Sequence, residues 1–464
     1  MINRKINKRL EEFYLDGGRY ALLIDGARQV GKTFAVEHFA ESHYDEFIEI
    51  NFATMDGAKD IFKNLETAED VLVRLSLFAK KRIVPGRTLV FFDEVQECSE
   101  AVTFVKPLVQ DGRCHYILSG SLLGVELKNV RSEPVGFMDE VRMYPLDFEE
   151  FVLANGELPE LIEAARTAWN DRKPLNETAH RRLSKLFRLY LVVGGMPAAV
   201  QRYLDTKDLS QVIKEQRRIL AMYRRDITKY DQANALRIRL VFDRVPQELN
   251  KKNKRYYVSD IRTGERFENL EDEFVWLKEA GVAIPVFNVS EPVSPLLLAQ
   301  KPNLFKLFAN DVGLLSAQFM NGIQLRILNG EQDINFGSIY ENAVAQEMTA
   351  HGIEPKYYCS PKHGELDFLV ERNGKVVPIE VKSGKHYQRH RALGHVMASD
   401  EYGIDSALVL NDDAVKMENG VRYAPVYQVM FLAPVPLPEQ MPYDIGEPLA
   451  ADTVGGTTPT ARHD

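Results

Sequence analysis

One octapeptide, Gly26-Ala27-Arg28-Gln29-Val30-Gly31-Lys32-Thr33, constrains this chain more than any other stretch. It fits the pattern G-x-x-x-x-G-K-[ST] in full. An apolar run, Ala21-Leu-Leu-Ile24, precedes it, and a helical pattern begins near Phe34. Glycines let backbone N–H groups close around phosphate oxygens, and the helix start adds the positive end of its dipole. Lys32 is expected to reach the β and γ phosphates of ATP, and the Thr33 hydroxyl to bind Mg²⁺. All eight residues are expected to line the nucleotide site. An accidental glycine turn would need neither the strand nor the helix.

A second element suits the first. Thr88-Leu-Val-Phe-Phe92 is an apolar strand ending in Asp93 and Glu94. Asp93 is expected to hold Mg²⁺ through water, and Glu94 to activate the attacking water. Taken alone, the pair is a solvated strand end. A further run, His115-Tyr-Ile-Leu118, ends in Ser119-Gly-Ser121. Ser119 could sense the γ-phosphate or orient the water, or could be an ordinary turn or N-cap serine. With Phe47-Ile-Glu-Ile50, these runs alternate with helical stretches, the rhythm of a parallel βαβ sheet covered on both faces.

A phosphate loop, then Asp-Glu, then a strand ending in a small polar residue resembles the AAA-type ATPases. The resemblance implies that Lys32 and Thr33 bind nucleotide, that Glu94 is the catalytic base, and that Ser119 is the first sensor. It also implies a possible homo-oligomer with an arginine supplied in trans. Arg131 and Arg142 are the nearest candidates, and neither sits in a diagnostic motif. Pro145-Leu-Asp-Phe-Glu-Glu-Phe151, Gly194-Gly-Met-Pro197 and Tyr223-Arg-Arg-Asp226-Ile-Thr-Lys-Tyr230 resemble landmarks of a large prokaryotic group. Its members are ATP-binding proteins that join an AAA-type domain to a domain of unknown function. This likeness extends to about residue 432.

Towards the C-terminus, Gly364-Glu-Leu-Asp367-Phe-Leu-Val370 reads as a strand. Arg372-Asn-Gly374 reads as a hairpin turn, and Val376-Val-Pro-Ile-Glu380-Val-Lys382 as the return strand. Period-2 geometry puts Glu380 and Lys382 on one face, with Asp367 opposite if the hairpin pairs normally. Two carboxylates can hold a divalent metal, and a lysine can polarise a water. Glu341, from the preceding helical segment, could join them. The order Glu…Asp…Glu-x-Lys resembles the PD-(D/E)XK nucleases, although Leu366 stands where the family name has proline. The resemblance implies metal-dependent phosphodiester hydrolysis, with Glu380 and Lys382 catalytic and Glu341, Asp367 and Glu380 as metal ligands. A hairpin with solvated Glu and Lys is the plain alternative.

Between these ends the chain reads as helical over about 151–235 and as a winged-helix-like module over 236–299. There Phe274 to Gly281 leads into the apolar run Val282-Ala-Ile-Pro-Val-Phe287. Lys251-Lys-Asn-Lys-Arg255, with Tyr256 and Tyr257, joins Arg217, Arg218, Arg224 and Arg225 in a basic middle. Such a stretch either contacts a phosphate backbone or is a solvated loop. Whole-chain charge decides nothing: 58 Lys and Arg against 67 Asp and Glu give a net charge of -9.

The expected organisation is α/β: an AAA-type P-loop domain over 1–150, the two middle modules, a nuclease-like α/β domain over 300–432, and a disordered tail over 433–464. Three scattered cysteines, Cys98, Cys114 and Cys359, make a disulfide framework or zinc ribbon a poor reading and fit a reducing cytoplasm. No run approaches the roughly 18 apolar residues of a membrane span. The expected function is an ATPase acting on DNA through its C-terminal domain. The alternative is an ATP-dependent switch or binding protein whose nuclease-like domain is catalytically inactive.

Overall fold

The computed structural model describes residues 2–121, 136–230, 234–251, 254–257, 267, 270–319, 322–331, 337–383, 390–412 and 415–436. Arg131, Lys252, Asn253 and the tail from 437 lie outside the described residues.

The N-terminal part runs α1 (Ile6–Leu15), β1 (Ala21–Asp25), α2 (Lys32–His43), β2 (Glu46–Asn51), α3 (Ala68–Ala79), β3 (Thr88–Asp93), α4 (Ser99–Asp111), β4 (His115–Gly120) and β5 (Met138–Arg142). The strands form one parallel sheet in the order β2-β3-β4-β1-β5. Every residue of β1, β3 and β4 is buried, as their continuous apolar runs require. Alternation divides their side chains between two cores. Leu22, Ile24, Leu89 and Phe91 face α1 and α2, while Leu23, Val90 and Phe92 face α3 and α4.

Among the described residues there follow α5 (Phe148–Ala154), α6 (Pro159–Asp171), α7 (Glu177–Val193), α8 (Pro197–Thr206), α9 (Leu209–Tyr230), α10 (Ala235–Leu249) and α11 (Glu271–Glu279). Asp147 and Glu150 close a capping box at the start of α5. Pro197 opens α8 at the position where a missing N–H costs nothing. Between α7 and α8, Gly195 lies so close to its neighbour that a Cβ there would sit 2.0 Å from the Leu146 carbonyl oxygen.

The remaining elements are β6 (Ala283–Val289), β7 (Gln300–Ala309), α12 (Val312–Gln318), α13 (Ile323–Asn329), α14 (Gly337–Ala350), β8 (Lys356–Ser360), β9 (Gly364–Arg372), β10 (Lys375–Val381), α15 (Arg391–Met397), β11 (Ala407–Asn411), β12 (Lys416–Glu418) and β13 (Val421–Pro425). They build a mixed eight-stranded sheet, β12-β13-β11-β10-β9-β8-β6-β7. The β9–β10 hairpin turns through Asn373 and Gly374, both with positive φ, as the Asn-Gly pair predicts. The break expected at 299/300 falls between β6 and β7, which pair as one antiparallel hairpin, while β6 also pairs with β8. One apolar cluster runs from Leu146 to Leu432, so the helical middle and the C-terminal sheet share a core. Helix α14 is buried from Ser338 to Met348 and crosses that core.

Among the described residues no single helix is long and apolar enough to cross a membrane; α7 and α8 reach that length only together, across a 119° bend. Cys98, Cys114 and Cys359 are free thiols.

Candidate functional site

The P-loop joins β1 to α2. Gly31 takes φ +98° to start α2, with no side-chain cap and no acidic residue in its first turn. The helix therefore presents uncapped N–H groups and the positive end of its dipole to whatever lies in the loop. Lys32 is buried, and its Nζ donates to the carbonyls of Gly26 at 2.7 Å and Ala27 at 3.1 Å. Burial pushes its pKa down, while Glu94, Asp25 and Asp93 oppose that.

Across the loop, the Thr33 hydroxyl donates to Oδ2 of Asp93 at 3.1 Å. Asn51, from the end of β2, donates to the same oxygen at 2.9 Å. Ser119 donates to Oδ1 of Asp93, and the Glu94 N–H reaches that oxygen at 3.1 Å. Glu94 sits at φ +55°, and its Oε2 accepts from Gln96 and, at 3.3 Å, from Ser121. The fold thus gathers Lys32, Thr33, Asp93, Glu94 and Ser119. Ser119 grips the aspartate, and Ser121, two residues later, grips the glutamate. Asn51, Gln96 and Ser121 join this site without a motif of their own; their only signal is polar character at or just beyond strand ends.

The remaining loop residues face partners from distant segments. Arg4 donates to the Val30 carbonyl at 2.9 Å and to Glu150 at 3.1 Å, tying the loop to the Pro145–Phe151 landmark. The Tyr223 hydroxyl donates to the Arg28 carbonyl at 3.2 Å, and the Arg28 guanidinium pairs with Asp226 at 2.7 Å. Gln29 contacts the Met222 sulfur at 3.2 Å. A Cβ on Gly31 would lie 3.7 Å from Pro197. All three landmark segments therefore surround the phosphate loop. Beside Gly31 a cavity of about 490 Å³ opens between Ile2, Asn3, Phe34, His38, Pro197 and Gln201. Arg142 is engaged within its own chain. It lies 3.4 Å from Asp25 and donates to the carbonyls of Lys278 and Glu279.

A second cluster lies in the C-terminal sheet. Oδ2 of Asp367 accepts from the Val381 N–H at 2.9 Å and lies 3.8 Å from Lys382 Nζ, which pairs with Glu380. From α14, Glu341 pairs with Lys254, and its other oxygen lies 3.8 Å from Lys306. Lys306, wholly buried, also pairs with Glu365 at 2.6 Å. Burial and then Asp367 push Glu380 up to about 8, and burial raises Glu341. Asp367 is lowered despite its burial, because Lys382, Lys306 and Lys254 surround it. The four predicted residues do come together, but with Lys254 and Lys306 among them, which sequence reasoning did not anticipate. Among the described residues no group of three or more His, Cys, Asp or Glu side chains is arranged to hold a metal.

Several cations of the basic middle pair with carboxylates of their own chain. Lys251 pairs with Glu248 at 2.6 Å, Arg224 with Asp243 at 2.7 Å and Arg218 with Glu215 at 3.0 Å.

Residues 18–152 match the family model described as an AAA domain. Residues 184–324 and 336–429 match two models described as domains of unknown function, DUF8612 and DUF4143. Fold and motif together define an AAA-type, ATP-binding P-loop domain in the first third of the chain. Among solved structures, the Walker-type ATPase of Pyrococcus abyssi is 16% identical with a TM-score of 0.44, over 68% of this chain and 96% of that one. The ORC1 protein of Aeropyrum pernix, solved in complex with DNA, is 13% identical with a TM-score of 0.28, over 70% and 94%. Cdc6p of Pyrobaculum aerophilum is 11% identical with a TM-score of 0.24, over 71% and 96%. No curated protein matches the chain.

Proposed function

We propose that this protein binds ATP and Mg²⁺ at the P-loop and hydrolyses the terminal phosphate. The contact between Thr33 and Asp93 carries this reading: residues 60 positions apart meet beside a buried lysine ammonium. Thr33 would hold Mg²⁺ directly and Asp93 through water; the ion would neutralise charge on the phosphate oxygens. Lys32 exchanges its loop carbonyls for the β and γ phosphates. Glu94 takes a proton from the attacking water, and Ser119 fixes the Asp93 carboxylate. The cavity beside Gly31 suits the base and ribose, since it opens where α2 starts. Phosphate release from Mg²⁺–ATP tests the proposal; purified, folded protein that binds ATP and releases none would end it.

The finer reading from sequence adds cleavage of DNA by the C-terminal cluster. The order helix, three strands, helix, strand (α14 to β11) supports the nuclease-like fold. The lysines favour the other reading, in which this fold binds a partner or nucleic acid without cutting. Lys254, Lys306 and Lys382 already pair with the carboxylates, and burial with Asp367 alongside pushes the Glu380 pKa up, against holding a further anionic oxygen for a metal. The cluster in this arrangement does not fit a divalent cation. Plasmid nicking separates the two readings. Mg²⁺-dependent nicking lost in Glu380→Ala and Lys382→Ala would establish the nuclease, and unchanged plasmid with wild-type protein the binding module.

A further inference from the structure

We propose that Ser121, Arg28 and Asp226 form a positioning relay for Glu94, through which helix α9 of the helical middle sets the rate of ATP hydrolysis. The inference rests on the reading of Glu94 as the base.

The direction of each hydrogen bond follows from chemistry. Arg28 has N–H donors and no acceptor, so its Nε, 3.2 Å from Ser121 Oγ, must donate to that oxygen. The serine's single hydrogen then points away from Arg28, towards Oε2 of Glu94 at 3.3 Å. The guanidinium is itself fixed from the far side by Asp226 at 2.7 Å. The order is therefore Asp226 carboxylate, Arg28, Ser121, Glu94, with every proton directed. Oε2 is engaged, and Oε1 is the oxygen left to take the water's proton.

Glu94 needs such restraint. A non-glycine residue at φ +55° lies in a disfavoured region and persists only where neighbours impose it. The relay is partly sheltered from solvent, with the Arg28 and Asp226 side chains 23% and 13% exposed. Ser121 is 1% exposed, and Tyr223, Trp276, Ala280 and Val282 close around Arg28, Ser121 and Asp226, leaving a cavity of about 20 Å³. That is room for about one water and for no ligand.

Helix α9 holds both sides of the catalytic strand end. Asp226 takes Arg28 of the P-loop, and Lys229, one turn later, pairs at 3.1 Å with Glu97, three residues beyond Glu94. A shift of this 22-residue helix would move the serine that aims the base. A partner or C-terminal event that moves α9 therefore has a route to turnover without touching nucleotide.

The test compares kcat and KM for ATP, with nucleotide affinity measured in parallel, for Ser121→Ala, Asp226→Asn, the double variant and Ser121→Thr. Each single loss should lower kcat about tenfold while KM and ATP affinity stay within about twofold. The double variant should be no slower than the slower single, because both break one relay. Ser121→Thr, which keeps the hydroxyl, should restore most of the rate. Ser121→Ala at wild-type kcat, or losses that multiply in the double variant, would overturn the relay. Should Asp226→Asn misfold by orphaning Arg28, Ser121→Ala alone decides. Absence of turnover in wild-type protein would instead defeat the ATPase reading itself.

Discussion

Arg4 reaches the carbonyl of Val30 at 2.9 Å while its Nε meets Glu150 at 3.1 Å, so the phosphate loop and the Pro145–Phe151 landmark are held by one side chain. Arg4 also donates to Tyr144, and its neighbour Lys5 pairs with Asp147 at 2.6 Å and Glu149 at 2.7 Å. The beginning of the chain thus stitches the nucleotide domain to the helical middle. The three landmarks, far apart in sequence, meet at one place in space.

Lys32→Ala removes the ammonium proposed to neutralise phosphate charge. A charge-assisted hydrogen bond contributes about 1.5–3 kcal/mol, so ATP affinity should fall about 10- to 100-fold with the fold intact. Titration calorimetry measures it. Wild-type affinity in this variant would remove Lys32 from the site.

Gly195→Ala should damage the fold rather than chemistry. Its Cβ would lie 2.0 Å from the Leu146 carbonyl oxygen and 2.8 Å from the Leu146 nitrogen, both backbone. Neither can retreat without breaking the 2.7 Å bond from the Leu146 N–H to the Gly195 carbonyl. A loss of about 2 kcal/mol or more is expected, read as a lower denaturant midpoint. An unchanged midpoint would mean that the two segments part easily.

The stability contributed by His351 should depend on pH. Burial lowers its pKa, but Asp147 at 3.3 Å and Glu347 at 3.9 Å outweigh this and hold it above its ordinary value, with Lys5 opposing. Nδ1 lies 2.7 Å from the Leu432 carbonyl, so the imidazolium can donate from both nitrogens. A raised folded pKa gives stability that is full below the unfolded value, near 6.5, and lost as pH rises through the folded one. The gap in Tm between wild type and His351→Gln should accordingly be wide at pH 5.5 and narrow at pH 9. A gap that widens with pH reverses the sign and refutes the assignment.

Much of the P-loop cluster was legible because its determinants are local. The glycine loop, the apolar strand ending in Asp93-Glu94 and the strand before Ser119 each state their conformation within ten residues. Strand β5, Met-Asp-Glu-Val-Arg, was not legible, since its half-buried, mixed residues carry no apolar run. Hairpin β6–β7 was split for a similar reason: β7 begins with the polar Gln300-Lys-Pro-Asn303, half-buried and then exposed, and only its second half enters the core. Asp226 lies 198 residues from Arg28, and Lys254 87 residues from Glu341. No periodicity joins such pairs; only packing does. The Glu380–Lys382 face was readable because alternation and an Asn-Gly turn fix it locally.

The most direct test of the central claim pairs binding with turnover in Glu94→Gln. The amide keeps the shape of the carboxylate and removes its basicity. ATP should bind with an affinity close to wild type while phosphate release falls about 10²- to 10⁴-fold. Phosphate release at the wild-type rate from this variant would contradict the account.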